Sequence, residues 1–179
     1  MNFLGALARG IDGFSEATGK LVAWLALFMV LLQFTIVLMR YVFGIGSIFM
    51  QEGMIYLHAS LFMLAAAYTL KHNGHVRVDV FYRTASPRRK AWTNLIGTLV
   101  LLWPFCFVVV QTSLPYVLDA WAIREGSKET SGIQAVYLLK TLIPVFAVLV
   151  ALQGLAIIAH SLRVIAGVEA FEEDEAEAI

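Results

Sequence analysis

Four long apolar stretches, at about residues 21–43, 50–70, 87–121 and 133–163, are separated by short polar segments. Each is long enough to cross about 30 Å of hydrocarbon at 1.5 Å rise per residue. The pattern predicts an all-α membrane protein with four transmembrane helices. Lys20 and Trp24 mark one end of the first stretch, Tyr41 and Phe43 the other, as interfacial anchors do. Gln33 and Thr35 are its main polar interruptions, expected to meet another helix or to bond locally. Gly44 and Gly46 break the first stretch, and so short a loop forces an antiparallel return. Ala59, Ser60 and Ala65-Ala66-Ala67 give the second stretch small surfaces, which let helices approach closely in lipid.

Ser86-Pro87 reads as an N-cap followed by proline at the first helical position. The third stretch starts there and is longer than a perpendicular crossing needs, so it should tilt or protrude. Pro104 and Pro115 lie in its body and are candidate kinks. A polar, turn-rich segment, Arg124 to Gly132, leads to the fourth stretch, which carries Lys140 and Pro144. Residues 1–19 do not read as a cleavable signal: Arg9 is opposed by Asp12 and Glu16, and no compact apolar core follows. Leu4, Leu7, Ile11 and Phe14 share a helical stripe, which predicts a short amphipathic helix on the membrane surface. The organisation is thus 1–19 interfacial helix, 20–165 transmembrane domain and 166–179 an acidic, solvated, mobile tail.

Composition sharpens this picture. Of 179 residues 60% are hydrophobic and 15% charged, against about 45–50% and 25% in soluble domains. Little chain remains for a soluble domain. The formal net charge is zero, so no global field recruits nucleic acid. Cys106 is the sole cysteine, which excludes an intramolecular disulfide. Arg9, Lys20, Lys71, Arg77, Arg83, Arg88, Arg89, Lys90 and Arg163 fall on one side of the membrane. Arg40, Arg124, Lys128 and Lys140 fall on or toward the other. The positive-inside rule places both termini and the middle connection in the cytoplasm.

Candidate chemistry is sparse. Arg40 ends the first stretch and Glu52 opens the second, and each charge complements the helix dipole at its own end. Two readings stand: the pair closes the hairpin as a salt bridge, or one or both contact a partner protein. His58 is the one ionisable group inside the second stretch. It is either a polar group bonded to a neighbouring helix or, if matched by a second histidine at its depth, a haem ligand or proton relay. His160 sits toward the opposite side, which argues against haem. His75, Arg77 and Asp79 alternate with valines. An extended segment would put the three on one side, suited to docking or fixing the loop rather than to a metal. No phosphate loop, nucleophile constellation or zinc motif is present, so no enzyme and no cofactor is expected.

Arg40-Tyr41-Val42-Phe43, Gln51-Glu52, Ala65-Ala66-Ala67-Tyr68 and Gly74-His75-Val76-Arg77-Val78-Asp79 together resemble a known family. The chain is similar to the small membrane subunit of tripartite ATP-independent periplasmic (TRAP) transporters, the DctQ family, over roughly residues 1–165. The resemblance implies a secondary transporter in a bacterial inner membrane, without ATP. A large permease subunit would carry the substrate and sodium sites, and a periplasmic substrate-binding protein would deliver an organic acid. The small subunit would bind the large one and enlarge the scaffold in the bilayer. Two other classes stand beside it. A haem-binding membrane anchor of a respiratory complex would also have few spans and interior histidines. A self-sufficient small exporter would need an interior acid, and Glu52 sits at an edge.

Overall fold

A computed structural model describes residues 2–75, 82 and 84–171. Helix α1 is Asn2–Val42, α2 Ile48–Leu64, α3 Ala66–Lys71, α4 Pro87–Gly97, α5 Trp103–Ala122 and α6 Val136–Ile165, with a π turn, Thr98–Leu102, joining α4 to α5. The described residues contain no strand. Four helical runs are long and apolar enough to cross a membrane: Asn2–Val42, Ile48–Lys71, Pro87–Ala122 and Val136–Ile165. They are the four expected spans.

The N-terminal half departs from expectation. Residues 2–19 are not a separate surface helix but the start of a 41-residue helix that continues without interruption to Val42. Their buried positions are Gly5, Ala8, Ser15 and Gly19, a stripe of small residues against which other helices close. Leu4 and Ile11 flank this stripe and pack on Ala8, Ala156 and Ala159, whereas Leu7 and Phe14 face outward. The apolar stripe was legible, but the small residues beside it decide which face is covered.

Small side chains also set the hairpin geometry. Gly44 takes φ +68° at the turn, a value costly for any residue with a Cβ. Ser47 then caps α2 by accepting a hydrogen bond from the Met50 amide. Ala66 and Ala67 are buried on α3, and the next residue, Tyr68, lies against Gly19. The alanine triplet is therefore where this hairpin presses on its neighbours.

Helix α6 holds the molecule together. It touches every other helix, whereas α1 and α5 do not approach each other. Its buried face, Ala147, Val150, Gln153, Gly154, Ala156, Ala159 and Ser161, is almost free of large side chains. One core cluster joins Ala66, Cys106, Ala147 and Val150. Pro104 does not end the third run. Proline at this position cannot donate to the carbonyl four residues back, and the chain widens instead into the π turn, with the Trp103 amide bonded to the Thr98 carbonyl. Pro115 is carried inside α5.

Side-chain bonds show which parts lie level with one another. Glu16 bonds Lys71, and Ser15 bonds Gln153. From Ile48 to Lys71 the helical run covers about 36 Å, enough to cross the hydrocarbon with a modest tilt. Beyond the Lys71 level project the first turns of α1, the last turns of α6 and α4, which carries Arg88, Arg89 and Lys90. The third run is long because its first part lies outside the core.

Gly19→Val tests the close contact. A Cβ at Gly19 would overlap the base of the Tyr68 side chain, whereas one at Gly13 would meet nothing. Thermal melting in detergent should show about 1–3 kcal/mol lost for Gly19→Val. Gly13→Ala should melt like the parent chain.

Candidate functional site

The polar side chains that bond one helix or loop to another gather at the two ends of the bundle. At the hairpin end, Glu52 is half-buried in the first turns of α2. Its carboxylate accepts hydrogen bonds from the Ser127 hydroxyl and, at 2.6 Å, from the Ile133 amide. Gly132 lies against it so closely that a Cβ there would meet the carboxylate. Glu52 therefore holds the loop between α5 and α6. The expected salt bridge with Arg40 is not formed: Arg40 is exposed and makes no ion pair among the described residues. The reason is geometric. The Ile45 amide bonds back to the Met39 carbonyl and the Ser47 hydroxyl caps α2, so each helix end is satisfied locally and the Glu52 side chain turns toward the second loop.

Lys140 is the next charge at this end. It pairs with Glu125 and lies 3.8 Å from the centre of the Tyr116 ring. Trp121 donates to Thr141 at 2.8 Å. These contacts tie the end of α5 to the start of α6.

His58 lies on the outer surface of α2, with its ring stacked 6.4 Å from that of Phe62 one turn on. It is not bonded to a neighbouring helix, and no second histidine faces it. His160 has both ring nitrogens engaged, Nε2 with Asp12 at 2.8 Å and Nδ1 with Glu169 at 2.6 Å. His160 is thus bonded within its own end of the bundle and does not face His58.

At the cation-rich end the side chains form a network that the sequence did not reveal. Gln153, 2% exposed, accepts from the Ser15 hydroxyl at 2.7 Å and donates to Asp12 at 2.9 Å. Both ends of its amide are thus satisfied, as burial demands. Arg163 reaches Glu169 at 3.1 Å. Glu16 meets Lys71 at 2.6 Å, His72 at 2.8 Å and Lys20 at 3.1 Å. Outside the segment that crosses the hydrocarbon, Lys71, His72 and Lys20 hold the Glu16 carboxyl down at about 2. Burial pushes the Asp12 carboxyl up, but bonds from His160 and Gln153 outweigh it and leave it below its ordinary value. An open cavity of about 1190 Å³ lies between α1, α4 and α6, with Arg9, Lys71 and Arg163 on its polar side and Leu101 and Phe105 on its apolar side. Asp12 and Glu16 were visible as charges opposing Arg9, but apart from Lys20 their partners are more than 50 positions away, beyond any local pattern.

Of the alternating set, His75 is exposed just after Gly74, while Arg77 and Asp79 lie outside the described residues. Overall, the arrangement clamps helices and loops together. It does not set a nucleophile beside a base.

Glu52→Ala should loosen the loop between α5 and α6. It removes the acceptor of the Ile133 amide, at a cost of about 1–3 kcal/mol. Hydrogen exchange on the purified chain should show faster exchange at Ile133 in Glu52→Ala and parental exchange there in Arg40→Ala. Equal protection at Ile133 in Glu52→Ala and the parent would refute the clamp.

No match was found among curated proteins or solved structures. Residues 29–164 match the family described as Tripartite ATP-independent periplasmic transporters, DctQ component. That match takes in the later part of the first apolar run, the other three runs, the Glu52 clamp and the α6 side of the polar network. It is a family of transporter components rather than an enzyme class. The four-helix membrane chain therefore belongs to the DctQ family, the small permease component of TRAP transporters.

Proposed function

We infer that the chain is the scaffold subunit of a sodium-driven TRAP transporter for an organic acid. It binds the large permease subunit in the bacterial inner membrane, and a periplasmic substrate-binding protein supplies the solute. Family membership gives the frame, and the packing of the bundle carries the reading. Ala66, Cys106, Ala147 and Val150 close the middle of the bundle around α6. A carrier needs polar groups converging near the midplane, commonly at broken helices. Here the side chains packed between the helices at that depth are small and apolar. The polar network lies at one end, where it joins helices to one another.

The same reading puts both termini in the cytoplasm. Arg9, Lys20, Lys71, Arg88, Arg89 and Arg163 all fall at the end of the structure where α1 begins and α6 finishes. That is the side the positive-inside rule assigns to the cytoplasm.

Reconstituted alone in liposomes under an inward sodium gradient, the chain should take up no organic acid. With the large subunit and binding protein added, uptake should appear. Robust uptake by the chain alone would make it an autonomous carrier and end the scaffold reading. For topology, Thr84→Cys in sealed cells should resist a membrane-impermeant thiol reagent until the cells are opened, since Cys106 is buried. Labelling from the periplasm would invert the orientation.

A further inference from the structure

One face of the α1–α2 hairpin carries polar side chains that the protein itself leaves unanswered. On α1, Gln33, Val37 and Arg40 follow at helical spacing and are all exposed. On α2, Gln51, Ile55, His58 and Phe62 do the same. The two stripes meet at the hairpin turn, where Arg40 and Gln51 line one crevice together with Met39 and Ser47. Among the described residues, none of Gln33, Arg40, Gln51 and His58 is hydrogen-bonded through its side chain.

Depth decides what this means. Gln33 lies about 14 Å along α1 from Val42, and His58 about 15 Å along α2 from Ile48. In a core of about 30 Å both are near the middle, beyond the reach of water and headgroups. Exposed threonines elsewhere on the outer surface show what lipid contact requires. Thr35 and Thr112 return their hydroxyls to the carbonyls of Leu31 and Val108 on their own helices. A glutamine amide or an imidazole has no such internal solution, and facing acyl chains it stays unsatisfied at considerable cost. Acyl chains cannot supply the missing partners; another transmembrane protein can. One rival exists, Gln111 on α5, exposed among Phe107, Leu114 and Leu118. At its depth it stands alone, since the exposed Asp119 of the same helix lies near the end of the span, whereas the hairpin groups lie on two stripes that meet at the turn and run to mid-depth.

We propose that this hairpin face, through Gln33, Arg40, Gln51 and His58, is the surface that docks the large permease subunit. The partner's chemistry follows from the groups to be met. It presents hydrogen-bonding side chains near the midplane opposite Gln33 and His58. Toward the periplasmic boundary it presents a carboxylate or helix C-terminus opposite Arg40. The assignment rests on the scaffold reading and adds a location to it. Glu52, turned inward to its loop, is not part of this surface.

The test uses the intact membrane pair. A photo-crosslinking amino acid is placed at 33, 40, 51 or 58, and at 111 or 118 on α5. Adducts with the large subunit are expected from the four hairpin positions and not from α5. Separately, the double variant Gln33→Leu with His58→Leu should lower co-purified large subunit roughly three- to tenfold, the worth of one or two interhelical hydrogen bonds. Melting of the lone chain should not fall, because both changes suit lipid. Adducts concentrated at 111 or 118, adducts between two copies of this chain, or unchanged co-purification of the double variant would each overturn the assignment. If the parent chain retains no large subunit at all, the scaffold reading fails as well. Adducts through α5 in an intact complex would fail the docking face alone.

Discussion

Among the described helices α6 alone touches both the α1–α3 side of the molecule and the α4–α5 side, and the fold depends on how closely both sides reach it. In lipid no hydrophobic force draws helices together, since acyl chains are as apolar as leucine. Close backbone approach and a few well-satisfied polar contacts must do so. Helix α6 supplies both on one face. Its alanines and Gly154 admit the neighbours, and Gln153 ties α1 through Ser15 and Asp12. The two surfaces not covered by α6, on α1–α2 and on α5, are left to lipid or to other proteins.

The division of polar groups follows from the same constraint. Those bonded to another helix or loop of the chain sit at its ends, where helices project past the hydrocarbon or loops meet them. Glu52 belongs to this class, and so does the cluster of Asp12, Glu16, His160 and Arg163. Of those at mid-depth not satisfied within the chain, Gln33 and His58 sit on the hairpin face and Gln111 on α5. Helix-bonding groups and partner-facing groups are thus sorted by whether another part of the same chain can reach them.

The four spans were legible in the sequence because lipid imposes length and apolarity on every crossing segment. The motif residues that identify the family were legible too. The role of Glu52 was not. Its partners at Ser127 and Ile133 are about 80 positions away, and the near neighbour Arg40 offered a simpler pairing that the Gly44 turn makes unnecessary. The N-terminal helix was misjudged for a related reason. Large apolar residues dominate a periodicity, yet Gly5, Ala8, Ser15 and Gly19 form the covered face. Such a seam is defined by what is small, and hydropathy gives small residues little weight.

The π turn between α4 and α5 has a bearing on phase. Buried positions along this run follow a seven-residue spacing at 91 and 98, and again at 106, 113 and 120. Between 98 and 106 the interval is eight. An extra residue in an unbroken α-helix would rotate everything after it by about 100°, swinging Cys106, Ser113 and Ala120 away from α6. A wider turn takes up the surplus residue within the coil. Both halves of the third run therefore keep the same side toward α6, and a one-residue insertion is absorbed without turning the membrane-crossing half out of register.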